Sequence, residues 1–245
     1  MRIGSLFAGI GGLELGLEWA GVGHTVWQVE RDPFCRQVLA KHWPDAVRHD
    51  DVRTVGAHNL EPVDVICGGY PCQPFSIAGL KRGVNDERHL WPEFARIIRE
   101  LRPRYAILEN VPNHLGIGFG DVLGDLASIG YDAEWDVLSA GGLGAHHIRR
   151  RIFVIANLPH AVSRRPQRQR TAAKGPWSGQ QLTRLVQTAL RLSVPAGESG
   201  GVSDGVPGRL HRLRALGNAV VPQVAEVVGR RLLEIDAALR QESAA

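Results

Sequence analysis

The sequence predicts an α/β protein built around a mostly parallel, doubly wound sheet. Up to residue 157, short apolar runs with strand character alternate with amphipathic segments of helical length. Strands that alternate with helices of roughly 10–15 residues indicate βαβ units. The 245 residues are 44% hydrophobic and 22% charged, which is enough for one such core and a small appendage.

The strands and helices follow one another in a regular order. The predicted strands are RIGSLFAG, HTVWQVE, a short run before Asp51, VDVICGG, YAILENV, YDAEWDVLSA and RIFVIAN. The helix GLELGLEWAG ends at Gly21 and PFCRQVLAKHW begins at Pro33, as expected from glycine just after a helix and proline in its first turn. The amphipathic runs LWPEFARIIREL and FGDVLGDLASIG complete the predicted helices.

The character of the sequence changes after residue 157. The run RRPQRQRTAAKGPW is polar and basic with no strand or helix period, and QQLTRLVQTALRL has the pattern of an amphipathic helix. The run AVVPQVAEVVGRRLLEIDAALRQ predicts a long closing helix. We therefore expect three regions: a main domain (1–157), a short basic region (158–208) and a C-terminal segment that returns to the main domain (209–245).

Charge is distributed unevenly along the chain. Residues 1–136 carry 13 Lys/Arg against 19 Asp/Glu, whereas residues 137–197 carry ten Lys/Arg and no acidic residue. Ordinary surfaces mix both signs, so a basic stretch of this length indicates a polyanionic partner such as nucleic acid. A disordered basic linker remains the alternative for the middle of this stretch.

Several classes of protein are disfavoured by the composition. No apolar run approaches the roughly 18–20 residues of a membrane span, and the N-terminus lacks the plain apolar core of a signal peptide. Three cysteines without a CxxC pair argue against a disulfide framework and a zinc site. We assign no metal to His146 and His147, because adjacent side chains diverge and no third ligand is evident. A reducing cytoplasm is the expected setting.

A glycine-rich turn and the acid Glu30 predict a pocket for a nucleoside-bearing cofactor. SLFAGIGG lies between the first strand and the first helix, where backbone N–H groups can approach a polar ligand. Glu14 stands where a dinucleotide fingerprint needs its third glycine. Glu30 ends the second strand, a common position for an acid that binds ribose hydroxyls. Glycines used only for a tight turn remain the alternative for Gly9 alone.

Reactive side chains are predicted at the ends of later strands. Cys72 follows the strand VDVICGG on a Gly/Pro loop, although a free cysteine is more often a small buried hydrophobe. Glu109 ends the strand YAILENV, where a solvated acid is the alternative interpretation. Arg149 and Arg151 lie two apart at a strand start, hence on one face, unless they are an edge-strand basic cluster. Asn218 lies before the last helix, where it is equally suited to cap that helix.

Taken together, these motifs resemble one known family. FAGIGG, PCQPFS, ENV, RRRIFVIA and RALGNAVVP occur in the order and spacing of the cytosine-C5 DNA methyltransferases of bacterial or phage type. The resemblance covers residues 1–157 and roughly 209–240. It implies a Rossmann-like methyltransferase fold whose target-recognition region, 158–208, is unusually short for the family.

The resemblance implies a covalent mechanism. Cys72 matches the nucleophile that adds to C6 of cytosine, and Pro71 fixes its approach. Glu109 matches the residue that engages N3 and the exocyclic amine of the base. Arg151 matches the arginine near O2, and Arg149 the arginine that supports it.

The resemblance also implies S-adenosylmethionine as the cofactor. Phe7 matches the aromatic ring that the family stacks on the adenine. Gly9 and Gly11, with Ala8 and Gly12 in the same stretch, match the backbone around the methionine part. Glu30 matches the ribose acid, Asp51 and Val52 the adenine contacts, and Leu90, Asn218 and Val220 the remaining wall.

The implied substrate is double-stranded DNA with the target cytosine flipped out of the helix. SIAGLKRGVNDERH matches the family's mobile loop, with Gly79 and Gly83 as hinges. The expected DNA contacts are Gln73, Ser76, Lys81, Arg82, Arg164, Arg165, Arg168, Arg170 and Lys174, with the arginines mostly on phosphates. We expect a monomer, and a restriction endonuclease acting on the same site as a possible companion.

Rival interpretations remain. A tRNA cytosine-C5 methyltransferase of the same fold fits the basic stretch equally well. A non-catalytic DNA-binding relative is expected to lack Cys72, Glu109 or the arginine pair, all of which are present. A nicotinamide oxidoreductase fits the fold class, but the missing third glycine argues against it.

Overall fold

The computed structural model describes residues 1–71, 90–159 and 209–244, and these form one seven-stranded sheet. Its strands are β1 (Arg2–Leu6), β2 (His24–Val29), β3 (Val47–His49), β4 (Val65–Gly68), β5 (Tyr105–Asn110), β6 (Asp132–Ser139) and β7 (Arg150–Asn157). The strand order is β3-β2-β1-β4-β5-β7-β6. The first five strands are parallel, whereas β7 is antiparallel to both β5 and β6. The predicted mostly parallel α/β sheet is therefore confirmed.

Helices cover both faces of the sheet. They are α1 (Gly12–Trp19), α2 (Pro33–His42), α3 (Trp91–Leu101), α4 (Phe119–Ser128), α5 (Arg209–Asn218) and α6 (Pro222–Ala244). The start of α2 follows from its sequence, because the Asp32 carboxylate accepts the Phe34 and Cys35 N–H groups and Pro33 needs no partner for a missing N–H. No helix in the described residues is long and apolar enough to cross a membrane.

Two apolar clusters hold the helices on the sheet. On one face, Phe94, Ile98 and Leu126 from α3 and α4 pack with Trp27 and Ile66 of the strands. On the other face, α1 and α6 bury their apolar residues against the alternate strand positions; among them are Leu13, Leu17, Val224, Val228, Ile3, Val65 and Ile107. Both faces are buried, as a parallel sheet requires.

Helix α6 packs along α1 although about 200 residues separate them in sequence. A Cβ on Gly16 would lie 2.2 Å from the Pro222 carbonyl oxygen, so the two backbones approach as closely as they do only because this residue is glycine. Polar anchors add to this contact: the Arg231 guanidinium binds both oxygens of the buried Glu134 carboxylate. Helix α6 is therefore packed against α1 and the sheet.

The strand directions create one functional edge of the sheet. The carboxyl ends of β1, β2, β4 and β5 lie together, and we call this the carboxyl edge. Because β7 is antiparallel to β5, with Asn110 opposite Ile152, its first residues also lie there. The carboxyl edge is where ligands bind in open α/β sheets.

Candidate functional site at the carboxyl edge

The glycine-rich turn after β1 has the backbone that its sequence predicts. Phe7, Gly9 and Gly11 have φ of 57°, 57° and 86°, a region that only glycine adopts freely. A Cβ on Gly12 would lie 2.1 Å from the Val220 carbonyl oxygen. The turn is thus packed directly on the segment between α5 and α6, and the first turn of α1 follows it directly.

Glu30 is fixed at the end of β2, facing this turn. Its Oε2 accepts the Gly9 N–H at 2.7 Å and its Oε1 accepts the Asp32 N–H at 2.7 Å. Each carboxylate oxygen keeps a further lone pair. The carboxylate is therefore held in place and still able to accept hydrogen bonds from the hydroxyls of a ligand.

The other predicted cofactor residues line the same end of the edge. Asp51 follows β3, and its Oδ1 accepts the Arg53 N–H at 3.0 Å as a short 3₁₀ turn begins. Val52 is buried. The half-buried Phe7 ring stacks on Phe94 with centroids 6.2 Å apart, and Leu90 packs in the same apolar cluster.

A cavity of about 420 Å³ lies next to Asp51, and the sequence did not point to it. Its lining residues are Arg36, Arg48, His49 and Asp50. The Arg36 guanidinium donates to the carbonyl oxygens of Glu30 and Arg31, so the cavity adjoins Glu30. The run Arg48-His49-Asp50, directly before Asp51, was the sequence signal that could have indicated this cavity.

Glu109 is a buried carboxylate held between a glycine and an arginine. Arg151 Nε lies 2.9 Å from Glu109 Oε1 in an ion pair. A Cβ on Gly69 would lie 2.5 Å from Glu109 Oε2. Burial raises the pKa of Glu109, while the positive charges of Arg151 and Arg149 lower it. The structure thus brings together the predicted acid and both predicted arginines.

Arg149 links this acid to the C-terminal segment. It lies just before β7 with a φ of 20°, and its Nη1 donates to the Gly217 carbonyl at 2.7 Å. Burial, followed by the like charge of Arg151, lowers the pKa of Arg149. The next residue, Asn218, is exposed and ends α5. Since α6 begins only at Pro222, the alternative interpretation of Asn218 as the cap of the last helix is wrong.

Part of the predicted site lies outside the described residues. Pro71 is exposed directly after the buried Tyr70. Several predicted features lie beyond the described ranges: the nucleophile, the mobile loop with its hinges Gly79 and Gly83, the helix QQLTRLVQTALRL and every DNA contact. The nucleophile and the DNA contacts are Cys72, Gln73, Ser76, Lys81, Arg82, Arg164, Arg165, Arg168, Arg170 and Lys174. Their roles stay predictions.

Three further residues at this edge were missed by the sequence reasoning. Asn110, adjacent to Glu109, donates from Nδ2 to the Tyr70 carbonyl at 3.1 Å. The Tyr70 hydroxyl lies 2.7 Å from His114 Nε2. No local sequence pattern joins positions 44 residues apart, so only the folded structure reveals this pair.

Comparison with known proteins identifies relatives of this chain. The sequence model of the C-5 cytosine-specific DNA methylase family matches residues 1–190. The Type II methyltransferase M.NgoMIV of Neisseria gonorrhoeae is 38% identical over 154 residues, 61% of this chain and 49% of the relative. The Type II methyltransferase M.Bsp6I of Bacillus sp. (strain RFL6) is 34% identical over 169 residues, 65% of this chain and 54% of the relative.

A solved structure gives the same result. A protein described as a DNA modification methyltransferase encoded within an E. coli prophage superimposes with a TM-score of 0.56 at 30% identity. The superposition covers 64% of this chain and 47% of that one. The chain spans about half the length of the curated relatives that it matches.

Proposed function

The chain belongs to the C-5 cytosine-specific DNA methylase family, and from this premise we propose that it transfers a methyl group to C5 of cytosine in double-stranded DNA. The observation that carries the proposal is the placement of Glu109. This buried carboxylate lies against Gly69, two residues before the Pro71-Cys72 pair, and forms an ion pair with Arg151. An acid, an arginine and the approach to a cysteine therefore meet at one edge.

The other end of the edge fits S-adenosylmethionine as the methyl donor. The N-terminus of α1, where the helix dipole is positive, suits the methionine carboxylate. The fixed Glu30 carboxylate suits ribose hydroxyls, and Phe7 and Val52 supply an apolar wall for adenine. Val220 closes the site over Gly12. When bound, S-adenosylmethionine supplies the electrophilic methyl group that C5 receives.

Covalent catalysis by Cys72 makes C5 reactive. The thiolate adds to C6, and the electron pair of the C5–C6 double bond moves to C5, which then forms the new bond to the methyl carbon. The bond between that carbon and the donor sulfur breaks, and its electron pair stays on the sulfur of the departing donor. A base takes the C5 proton, the double bond re-forms, and the C6–S bond breaks to return the thiolate. The guanidinium groups at this edge favour the thiolate over the thiol.

Glu109 and Arg151 stabilise the charge that this addition creates. As sulfur adds to C6, negative charge develops at N3 and O2 of the base. A proton held by Glu109 at N3 and the positive charge of Arg151 at O2 both oppose that charge. Burial, which raises the pKa of Glu109, helps it to carry this proton.

The substrate contacts follow from the same proposal. The target base must leave the duplex to reach Glu109, and the basic region 158–208 binds the duplex and reads a short site. We further propose that the protein acts as a monomer in the cytoplasm, with a restriction endonuclease of the same specificity as its companion.

Single-base methylation mapping tests the proposal. The protein, S-adenosylmethionine and mixed-sequence duplex DNA are incubated with Cys72→Ser and Cys35→Ser variants in parallel. Cys35 is a buried thiol of α2, so Cys35→Ser serves as the matched control. We expect 5-methylcytosine in one short motif, loss of methylation in Cys72→Ser, and retained activity in Cys35→Ser.

Other outcomes carry specific meanings. Methylation scattered over many cytosines would keep the chemistry and reduce the 158–208 region to a phosphate clamp. Methylation of tRNA but not of DNA would show that tRNA is the substrate. An active Cys72→Ser variant would refute the covalent mechanism.

A further inference from the structure

Tyr70 is held by its hydroxyl in a buried hydrogen bond. The hydroxyl lies 2.7 Å from His114 Nε2, and both residues are buried. His114 Nδ1 lies 2.8 Å from the Ile117 carbonyl oxygen. A carbonyl only accepts, so Nδ1 carries the proton and Nε2 accepts from the Tyr70 hydroxyl.

The backbone of Tyr70 is held as well. Asn110 Nδ2 donates to the Tyr70 carbonyl at 3.1 Å, while Asn110 Oδ1 accepts the Val111 N–H at 2.8 Å. The Tyr70 ring packs on Trp91 with centroids 5.2 Å apart. Three elements therefore fix this one residue: β5, the 3₁₀ turn Pro112–Gly116 and α3.

This bracing lies between the two halves of the proposed catalytic site. On one side of Tyr70, Gly69 contacts the Glu109 carboxylate. On the other side, the chain continues through Pro71 to Cys72. Tyr70 lies two residues before the proposed nucleophile in sequence, so a shift of Tyr70 is passed on through Pro71 to Cys72. The Tyr70 ring also packs on Phe94, which stacks on Phe7 of the glycine-rich turn, and a variant that keeps the Tyr70 ring leaves that stack in place.

We propose that Tyr70 and His114 are positioning residues, whose buried hydrogen bond sets the distance and angle between Glu109 and the attacking cysteine. This inference rests on the proposed function and adds to it a pair outside the family motifs discussed above. The pair touches neither base nor cofactor, and it acts on the rate of thiolate addition rather than on binding.

The Tyr70→Phe variant tests the pair, because it keeps the ring and removes only the hydroxyl. We expect kcat for methylation to fall about tenfold, since small misplacements of reacting groups cost large factors in rate. The KM for DNA and the Kd for S-adenosylmethionine stay within twofold of wild type. Duplex DNA with 5-fluorocytosine at the target separates addition and methyl transfer from the final elimination, because fluorine cannot leave C5 as a proton does. The rate of trapped adduct formation falls by the same factor as kcat.

Tyr131→Phe is the matched control. The buried Tyr131 hydroxyl donates to the Pro103 carbonyl, next to the start of β5 and thus at the opposite edge of the sheet. This variant loses an equivalent buried hydrogen bond, so its thermal midpoint falls like that of Tyr70→Phe while kcat is unchanged. The double variant Tyr70→Phe/His114→Phe is expected to react no more slowly than the slower of its two single variants.

The failure of this inference is distinct from failure of the proposed function. If wild type traps the 5-fluorocytosine duplex and Tyr70→Phe traps it at the same rate, the positioning role is refuted while the methyltransferase stands. If kcat falls equally in Tyr131→Phe, the effect is general destabilisation and the role is again refuted. If wild type traps no DNA adduct, the proposed function itself fails and this inference with it.

Discussion

Two buried carboxyl groups show how local environment separates a proposed catalytic acid from a purely internal one. Glu109 is compensated by Arg151 at 2.9 Å and by the charge of Arg149. Glu14, in the first turn of α1, is fully buried, and among the residues that the structure describes no cation lies beside it. The Ser5 hydroxyl is near enough to lower the pKa of Glu14, but the two groups do not meet in hydrogen-bond geometry. Desolvation dominates, and it raises the pKa of Glu14 from 4.5 to about 7.

This shift makes stability depend on pH through one residue. The folded state holds the Glu14 proton more tightly than the unfolded state, so the stability that this proton provides is complete below pH 4.5 and is lost as pH rises to about 7. Glu14→Gln removes that loss, and we expect it to raise the free energy of unfolding at pH 8 by about 3 kcal/mol. At pH 4.5 the gain disappears.

Urea denaturation at both pH values measures this difference. Glu242→Gln, an exposed acid on α6, removes the same charge and serves as the control, with no expected change. A gain from Glu14→Gln that is equal at pH 4.5 and pH 8 contradicts a titrating Glu14.

Single residues differed in how far the sequence alone could place them. Glu109 and Arg151 were predicted together because each lies in a motif of the family that the sequence resembles, Glu109 at a strand end and Arg151 near a strand start. Tyr70 and His114 could not be predicted, since their contact depends on how a turn after β5 folds back over β4. The burial of Glu14 was equally hidden, because an acid in a first helical turn is normally read as a favourable, solvated charge.

At the scale of elements, the contact between α1 and α6 joins the two ends of the described chain. The backbone of Gly16 lies so close to α6 that a Cβ would be 2.2 Å from the Pro222 carbonyl oxygen and 2.4 Å from the Ala225 Cβ. Rigid backbone, unlike a flexible side-chain tip, cannot move aside at low cost. Small residues at this position therefore set the distance between the helices.

Gly16→Ala tests this contact. Alanine favours a helix intrinsically, yet here we expect the free energy of unfolding to fall by about 1–3 kcal/mol because the helices are forced apart. Gly124→Ala in α4, where a Cβ meets open space, is the control and is expected to stabilise by roughly 0.5–1 kcal/mol. Equal urea midpoints for the two variants would show that α1 and α6 do not pack as described.

The element boundaries followed the sequence closely, but strand direction did not. Gly21 and Pro33 marked a helix end and a helix start correctly to within two residues. The antiparallel direction of β7 was not predicted, because an apolar run carries no information about the direction of its neighbours. That direction explains why an arginine pair at the start of a strand lies at an edge otherwise made of strand ends.

For the whole molecule, the uneven charge distribution is the main predictor of DNA affinity. Residues 137–197 hold ten Lys/Arg and no acid, and each arginine on a phosphate releases condensed counterions when it binds. Replacing Arg164 and Arg168 by Gln is expected to reduce the slope of log K against log salt concentration by up to about 2.

Fluorescence anisotropy with a labelled duplex, titrated at several salt concentrations, measures this slope. Replacing Lys41 and Arg99, which are exposed on α2 and α3, by Gln removes the same charge and should leave the slope within experimental error. Equal slopes for the two double variants would mean that the basic region makes no phosphate contacts.

The direction of β7 has a consequence for how such a protein can diversify. The strand ends at Asn157, opposite Tyr105, far from the carboxyl edge, while α5 ends beside Arg149 at that edge. The start of α5 therefore lies at most roughly 42 Å from Asn157, counting about 27 Å for the eight-residue strand and about 15 Å for the ten-residue helix. Roughly 13 extended residues out of the 51 from 158 to 208 span that distance. The remainder is not needed to close the fold. Evolution, or a protein engineer, can therefore exchange this stretch as a cassette, altering its length and composition while the acid, the arginines and the closing helix keep their places.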